Sequence, residues 1–429
     1  MSVFRRFCAS RNGNVAMLFA LAVLPLMACV GFATDYGLAV NYEGEMQLSA
    51  DVASVGAISI GSKGFEAALA QQSPGRVTAA EEQARLLFMH NFQRRGEDDF
   101  EITPVVERKA DRVVSTINYR IKVPTLFGAF YGKADMEIHG RSIAEIEIAK
   151  AIDFYMLLDN TPSMGVGATQ SDIDKMVANT DDKCAFACHQ TNTTNNYYNL
   201  AKSLGVKMRI DVVRTATQRL TETAEKSRQK ADQYRMAVYS FGARAETMGL
   251  TPIATLSSNM TQVRSQTASL DLMTIPYPNY FDDQLTAFDD TLKALKTVIP
   301  TPGSGYGGDE PDKYMFFVSD GVADHAKGIY CTKRTTPRSV RCQEPIDTKY
   351  CDQIKKKGIK IAVLYTTYLP LPTNGWYRDW IMPFQNQIAP QMQACASPGL
   401  FFEVSPSQGI EAAMKALFEK TIASAHLTH

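Results

Sequence analysis

Residues 154–163 of the chain are Phe-Tyr-Met-Leu-Leu-Asp-Asn-Thr-Pro-Ser, a run that changes abruptly from apolar to polar. Five consecutive apolar residues are typical of a strand buried on both faces, as in a parallel sheet. In the loop that leaves such a strand, Asp159, Thr161 and Ser163 alternate, so their oxygens can point at one centre. Hard divalent cations prefer oxygen ligands. The stretch therefore predicts a buried parallel strand with a cation site at its carboxyl end.

Other parts of the second half of the chain repeat this alternation of apolar strand and amphipathic helix. Further apolar runs occur at Met236–Phe241, Tyr314–Val318 and Ile359–Tyr365. Helical periodicity occurs at Lys207–Ser227, Thr286–Val298 and Ile410–Ala423. Strands separated by such helices predict an α/β fold, a doubly wound (Rossmann-like) and mostly parallel sheet covered on both faces. Ligands of such sheets gather beyond the carboxyl ends of the strands.

A second carboxylate follows another of these apolar runs. Residues 317–321 are Phe-Val-Ser-Asp-Gly, which places Asp320 at the end of a predicted strand. Gly321 permits the tight turn that is needed there. Because carboxyl ends of parallel strands meet at one edge, we expect Asp320 near Asp159.

These two segments resemble a known family. Asp159, Thr161 and Ser163 resemble the Asp-x-Ser/Thr-x-Ser signature of the metal-ion-dependent adhesion site in von Willebrand A domains. The segment Ser319-Asp320-Gly321 resembles that family's later Thr-Asp-Gly, with serine in place of threonine. The resemblance covers about residues 151–425, and the combination of the two motifs in this chain order is more specific than either alone.

The same resemblance implies a third loop with a threonine at the start of a helix. Thr286 fits best, because residues 287–292 match the small and apolar positions that follow it in the family. Asp283-Gln284-Leu285 stand where glycines are usual, and Thr291 is the alternative. The implied ligand is a divalent cation, Mg²⁺ first, with Ca²⁺ or Mn²⁺ as alternatives, and a carboxylate of a protein partner commonly completes its shell. The implied metal ligands are Asp159, Thr161, Ser163, Thr286 and Asp320.

The N-terminus predicts a membrane anchor. A basic segment, residues 1–14 with Arg5, Arg6 and Arg11, precedes the uncharged run 15–34. Twenty such residues span about 30 Å as a helix, the thickness of a bilayer's hydrocarbon core. The positive-inside rule then predicts a single-pass protein of a bacterial inner membrane, with a cytoplasmic N-terminus and its bulk in the periplasm. A cleaved signal peptide ending near Ala28 or Ala33 is the alternative.

Residues 35–150 predict a smaller α+β unit. Helical periodicity continues from Asp35 to Ile60 with Leu48, Val52 and Val55 on one face, and a second helix starts near Thr78. Strict alternation over residues 113–123 then predicts a half-buried antiparallel strand. Its predicted neighbours are Phe100–Val106 and Ala134–Ile148. A long helix followed by a small antiparallel sheet is a pilin-like arrangement.

Three short segments near the N-terminus carry a second resemblance. Residues 11–16, Asp35-Tyr36-Gly37 and residues 46–51, Met-Gln-Leu-Ser-Ala-Asp, resemble the TadE/TadG-like family of tight-adherence (Flp) pilus assembly. Joined to a von Willebrand A domain over 151–429, the chain is similar to the TadG-like members of that family. After Gly13, Leu18 stands where prepilin processing needs a glutamate, so we expect no prepilin-peptidase cleavage.

Six of the eight cysteines lie beyond the anchor, in polar and loop-like stretches. In an oxidising compartment they predict three disulfides, with 15 pairings open; free buried thiols are the alternative. Cys184 and Cys188, followed by His189, come close to a haem-attachment motif, but a local disulfide fits their spacing better, ahead of zinc. The six candidates are Cys184, Cys188, Cys331, Cys342, Cys351 and Cys395.

Composition and the remaining side chains exclude more than they assign. With 45 basic and 45 acidic residues, the chain has no electrostatic footprint for nucleic acid. His325 is expected to be a solvated loop residue, and Trp376 and Trp380 are expected to pack under a long loop. No placed general base is evident, so we expect no enzyme.

The leading hypothesis is a membrane-anchored component of pilus assembly or adhesion that binds pilus-assembly or envelope proteins through the cation. A structural envelope protein with a degenerate cation site and, third, a metal-dependent hydrolase are the alternatives.

Overall fold

The computed structural model describes residues 14–71, 73–92, 100–306, 310–326, 331, 341–368, 370–371, 374–404 and 409–426. The chain divides into two compact units, the first ending at Ile148 and the second beginning at Ala149. The basic segment, with Arg5, Arg6 and Arg11, lies outside the described residues, as does Cys8. The predicted domain bounds thus remain a prediction at the N-terminus.

The first unit begins with a helix far longer than a bilayer is thick. Helix α1 runs over Asn14–Ile58, 45 residues, or roughly 68 Å at 1.5 Å a residue. By length and composition Val15–Ile58 is able to cross a membrane. The large apolar side chains at its start, such as Val15 and Phe19, are exposed. The predicted apolar N-terminal helix is therefore present, and it continues well past residue 34.

The rest of this unit is a small antiparallel sheet that packs against helices. Helices α2 and α3 precede most of the strands, and the strand order is β1-β2-β3-β4, with every pair antiparallel. Along β3, alternate residues such as Val113, Ile117 and Ile121 are buried. The predicted helix-plus-sheet unit is confirmed. The bounds are α2 Lys63–Ala70, β1 Gly75–Arg76, α3 Thr78–Asn91, β2 Phe100–Arg108, β3 Arg112–Pro124 and β4 Asp135–Glu147.

The face of α1 that packs is not the face with the largest apolar side chains. Leu48 and Val55 are 65% and 58% exposed, whereas Ala50 and Ala53 are completely buried. Alanines let the helix approach closely, and a buried hydrogen bond of 2.9 Å joins Ser54 of α1 to a serine of β4. Close approach rather than side-chain volume therefore decides which face of the helix is covered.

The second unit is a six-stranded, mostly parallel sheet between two layers of helices. Its strand order is β14-β13-β10-β5-β7-β8, and only β8 is antiparallel to its neighbour. This order, in which the chain winds outward in both directions from β5 and β10, confirms the predicted doubly wound fold. The strands are β5 Ile152–Leu158, β7 Tyr234–Ser240, β8 Thr251–Ser257, β10 Asp312–Ser319, β13 Lys360–Thr366 and β14 Phe401–Val404.

Successive side chains of β5 enter two separate cores. Phe154, Met156 and Leu158 pack on the face covered by helices α6, α7 and α11, given below. Tyr155 and Leu157 pack on the opposite face, against α8, α9 and α10. All are buried, which is why the strand is apolar throughout. The helices are α4 Gln170–Ala178, α5 Tyr197–Ser203, α6 Arg209–Ser227, α7 Met260–Thr267, α8 Phe288–Val298, α9 Lys349–Lys356, α10 Gln385–Cys395 and α11 Ile410–His426.

Loops beyond the carboxyl edge of this sheet form two small ladders of their own. One is a parallel pair of two-residue strands, and the other is an antiparallel hairpin-like pair. Their bounds are β6 His189–Gln190, β9 Thr274–Ile275, β11 Val322–Ala326 and β12 Arg341–Pro345.

Two of the three predicted disulfides are formed. Cys331 pairs with Cys342, and Cys351 pairs with Cys395. The prediction of a third bond was wrong, because Cys184 and Cys188 are free thiols. Phe186, midway between the two cysteines, forms an antiparallel bridge with Val166, which holds this segment in place, and its amide donates to Cys184 Sγ at 3.4 Å.

We expect the two disulfides to differ in their contribution to stability. Replacing Cys351 and Cys395 by alanine should lower the free energy of unfolding by about 4 kcal/mol, and replacing Cys331 and Cys342 by about 3 kcal/mol. The difference follows from sequence separations of 44 and 11 residues, because the longer loop has more entropy to lose. Urea unfolding of the full chain in detergent, followed by tryptophan fluorescence, measures both. Both tryptophans lie in the second unit. A larger loss from the Cys331 and Cys342 pair would contradict the expectation.

Candidate cation site

The predicted site residues lie at the carboxyl ends of β5 and β10, the two central strands from which the strand order runs outward in opposite directions. Strands β5 and β10 are neighbours, with Leu158 opposite Val318, so both end at the same level. The Asp159 amide continues the ladder, donating to the Val318 carbonyl at 2.9 Å. Asp159 and Asp320 therefore follow the two central strands, at the crevice where open α/β sheets bind ligands.

Asp159 is held by three hydrogen bonds and has no exposed surface. One carboxylate oxygen, Oδ1, accepts from the Thr161 amide at 3.0 Å and from Thr161 Oγ1 at 2.7 Å. The other, Oδ2, accepts from Ser319 Oγ at 2.6 Å. Ser319 thus provides a hydroxyl at the position where the Thr-Asp-Gly motif of von Willebrand A domains has a threonine. With both oxygens engaged, Asp159 is placed to act on a cation through its neighbours or through water.

The hydroxyl oxygens of Thr161 and Ser163 lie close together, and each bonds to a different carboxylate. Thr161 Oγ1 donates its proton to Asp159, and the Ser163 hydroxyl bonds to the Asp320 carboxylate. The two hydroxyl oxygens lie 3.4 Å apart. A hydroxyl that gives its proton to a carboxylate keeps two lone pairs for another partner. This arrangement offers neutral oxygen donors between two carboxylates.

Burial and mutual repulsion make the two carboxylates costly to ionise. Burial, and then the nearby charge of Asp320, raise the pKa of Asp159 to about 6, against the lowering effect of its hydrogen bonds. Burial likewise raises the pKa of Asp320, although the Arg209 guanidinium and the Ser163 hydroxyl act in the opposite direction. Two buried carboxylates with hard oxygen donors between them are short of positive charge, which a divalent cation would supply. The donor set fits such an ion.

Thr286 lies in a loop and not on the helix that follows it. It forms an isolated antiparallel bridge with Asp324, with N–O distances of 2.8 and 3.1 Å, and α8 begins two residues later. Thr286 lines the same cavity as Ser163, whereas Thr291 is buried within α8. Of the two threonines, Thr286 is therefore the one placed beside the motif.

A cavity of about 210 Å³ opens next to these residues. One wall is apolar or sulfur-bearing, and the other carries Asp283, Asp324 and Arg341. Arg341 forms a two-point ion pair with Asp324, at 2.9 and 2.6 Å. One water needs only about 10–15 Å³ of such space, so the cavity has room for a side chain. Its lining residues are Pro162, Ser163, Cys184, Phe186, Cys188, Ile275, Asp283, Thr286, Val322, Asp324, Arg341, Asn374 and Trp376.

Residues that the sequence singled out more weakly are spread around this cavity. Trp376 packs edge-on against Phe186, with ring centroids 5.6 Å apart. His325 lies in β11, opposite the disulfide-bonded Cys342. His189 stacks on Tyr198 at 3.8 Å, although Cys188 lines the cavity, so the three possible zinc ligands of that loop do not converge. Within the described part of the chain, these three side chains form no cluster of converging ligand atoms.

Sequence reasoning missed one charged residue of the site. Arg209, at the start of α6, is 1% exposed, and its Nη1 lies 3.4 Å from Asp320 Oδ2. Its Nη2 donates to the Thr367 carbonyl at 3.3 Å, and its guanidinium lies over the Tyr368 ring at 5.2 Å. The only signal in the sequence is an arginine on the otherwise apolar side of a predicted helix. Helical periodicity does not say which strand end such a residue will reach.

Comparison with known families agrees with the N-terminal half of this picture. Residues 13–70 match the model of the Flp pilus-assembly TadE/G-like family. The N-terminal segment is TadE/G-like. The match includes the apolar helix, which supports a membrane anchor. No curated protein matches the chain.

The solved structures that the chain matches include two pilus proteins and a protein of the mussel byssus. The vWF domain of the type V pili tip protein Mfa5 from Porphyromonas gingivalis is 11% identical; the match covers 66% of this chain and 98% of that chain, with a TM-score of 0.39. The PilB minor pilin from Streptococcus sanguinis is 12% identical over 77% and 78% of the chains, with a TM-score of 0.37. Proximal thread matrix protein 1 from the mussel byssus, solved with a zinc-occupied MIDAS motif, is 13% identical over 65% and 46%, with a TM-score of 0.32.

The raised pKa of Asp159 predicts a crossover in stability with pH. A carboxyl group whose pKa is about 6 when folded and 3.8 when unfolded stabilises the fold below pH 4 and loses that contribution as the pH rises through 6. With a chelator present, Asp159→Asn should therefore melt at least about 2 °C above the wild type at pH 7.5. The two should melt together below pH 4, where the carboxyl group is protonated in both the folded and the unfolded state.

Asp324 titrates in the same range, since burial raises its pKa to about 6. Comparing Asp159→Asn with the wild type at each pH removes that contribution, because both proteins contain Asp324. A constant difference in melting temperature from pH 4 to pH 7.5 would contradict the assigned cause.

Proposed function

We propose that the chain is a membrane-anchored, periplasm-facing component of tight-adherence (Flp) pilus assembly or adhesion that binds a protein partner through a divalent cation. The observation that carries the proposal is the meeting of Asp159, Thr161, Ser163 and Asp320 at one strand-end crevice, in a chain whose N-terminal segment is TadE/G-like. The apolar helix and the pilus-assembly match support the anchor. The arginines of segment 1–14 favour a cytoplasmic N-terminus in the inner membrane.

Each residue of the site has a distinct role in this proposal. Thr161 and Ser163 give hydroxyl oxygens, Asp320 gives a carboxylate, and Thr286 approaches from the neighbouring loop. Asp159 orients Thr161 and adds negative charge. The cation, Mg²⁺ or alternatively Ca²⁺ or Mn²⁺, supplies a hard positive centre with a position open to a charged oxygen of the partner.

The adjacent cavity supports a protein rather than a small ion as the second ligand. A partner carboxylate at the cation would bring its neighbouring side chain to the walls formed by Phe186, Val322 and Trp376. Apolar burial of that side chain adds affinity and selects the partner. Arg341 offsets the charge of Asp324, its ion-pair partner, and Asp283 adds a further carboxylate to the cavity lining.

A second candidate is a structural envelope protein in which the site binds no cation. One observation favours it: Arg209 already places a fixed positive charge against Asp320. Failure of Mg²⁺, Ca²⁺ and Mn²⁺ to give heat or a shift in melting temperature would support this candidate. A metal-dependent hydrolase remains the third hypothesis, and only turnover lost in Asp320→Ala would support it. That the protein is not an enzyme stays a prediction.

We predict that substitutions in the motif weaken cation binding while leaving the fold intact. Thr161→Val, Ser163→Ala and Asp320→Asn should each reduce the affinity of the full chain for Mn²⁺ about tenfold or more, because each removes one oxygen donor or its charge. Asp290→Asn, at an exposed carboxylate in the first turn of α8, is the matched control and should bind as the wild type does. Calorimetry with the chain in detergent gives the affinities.

Two threonines of this region allow a direct test of the third loop. Thr286→Val should weaken Mn²⁺ binding and Thr291→Val should not, since only Thr286 lines the cavity with Ser163. Capture of a partner should depend on the same residues and should fail in the presence of a chelator. Unchanged Mn²⁺ binding in the Asp159→Ala, Asp320→Ala double variant would refute the proposed site.

A further inference from the structure

Arg209 occupies an unusual position for a positive charge. It is buried to 1% exposure at the first residue of α6 and contacts a carboxylate that is itself fully buried. Its two hydrogen bonds are long, at 3.4 and 3.3 Å, and the Tyr368 ring covers its face. An arginine keeps its charge at every pH that a folded protein experiences. The charge is therefore fixed beside the site, whether or not a cation is bound.

The other charged groups of the cavity are not part of the motif. Asp324 is paired with Arg341 through two bonds, and the half-buried Asp283 lines the cavity. The groups in direct contact within the motif are thus two carboxylates, Asp159 and Asp320, and one guanidinium. Without Arg209, two carboxylates would balance a divalent cation. With Arg209 present, the two carboxylates and the guanidinium together carry one negative charge, so a bound divalent cation leaves one positive charge uncompensated.

We propose that Arg209 is an internal counter-charge that weakens cation binding by the isolated protein and couples it to the arrival of an anionic ligand. Repulsion between the guanidinium and a divalent ion lowers the affinity for the ion alone. The uncompensated charge of the filled site then attracts a carboxylate, and by linkage the carboxylate tightens the ion. The site binds both together and neither well alone. This inference rests on the proposed function, because it assumes a cation at the motif.

The test compares charge and shape at this one position. Arg209→Gln removes the charge, Arg209→Lys keeps it, and Arg219→Gln removes an exposed arginine of the same helix as a control. Binding of Mn²⁺ to the full chain in detergent is measured by electron paramagnetic resonance. Sodium acetate is the carboxylate probe, compared with sodium chloride at equal ionic strength. Thermal melting with a chelator checks that each variant folds.

Arg209→Gln should bind Mn²⁺ about tenfold to a hundredfold more tightly than the wild type in chloride, since a unit charge a few ångströms from the ion is removed. Arg209→Lys should stay within about threefold of the wild type, and Arg219→Gln should not differ from it. Acetate should tighten Mn²⁺ binding by the wild type and have a smaller effect on Arg209→Gln. Weaker or equal Mn²⁺ binding by Arg209→Gln would overturn the inference and make Arg209 a positioning residue for Asp320.

Failure of the proposed function gives a different pattern. If the wild type binds no Mn²⁺ with or without acetate, and Arg209→Gln does bind it, the guanidinium has replaced the cation: the counter-charge stands and the adhesion function falls. If neither the wild type nor Arg209→Gln binds Mn²⁺, both are refuted.

Discussion

The constraint on which this molecule depends is the register between the two central strands of its second unit. Leu158 pairs with Val318, so the chain leaves both strands at the same level and in the same direction. That pairing sets Asp159 beside Ser319 and brings Asp320 within reach of Ser163. Because side chains alternate between two packed cores, a shift of one residue would exchange the contents of both cores. The register, and with it the site, is therefore fixed by apolar packing.

Much of this was predictable from the sequence, for a physical reason. Unbroken apolar runs and helical periodicity are signals of burial, and burial on two faces specifies a doubly wound sheet. Asp159 and Asp320 were found because polar residues directly after such runs must lie at the edge of the sheet. The resemblance to von Willebrand A domains favours Thr286 over Thr291 as the threonine of the third loop. In the structure, Thr286 lines the cavity with Ser163. Strand ends are positions that a linear pattern can identify.

The features that the sequence did not predict depend on distances in space rather than on order along the chain. The pairing of Cys351 with Cys395 needs α9 and α10 to cover the same face of the sheet, and the free state of Cys184 and Cys188 depends on how the segment between them is bridged to Val166. The covered face of α1 is lined by Ala50 and Ala53, because close approach outweighs the larger area of leucine and valine on the other face. Periodicity reports the size of side chains along a helix. It does not report how near the partner comes.

Arg209 is the most consequential of the residues that a pattern cannot place. Two fully buried carboxylates that lie near one another need positive charge from some source, since ionising both in a low-dielectric interior is costly. A bound cation, a fixed guanidinium and a shared proton are the three sources available to a protein. The structure already contains the second, in contact with Asp320 only. The three hydrogen bonds to Asp159 come from neutral donors. Arg209 therefore does not compensate the charge of Asp159, and the pKa of this carboxyl group stays raised. A divalent ion between Thr161 and Ser163 would compensate that charge from the side that faces the cavity, which is also the side from which a partner can approach.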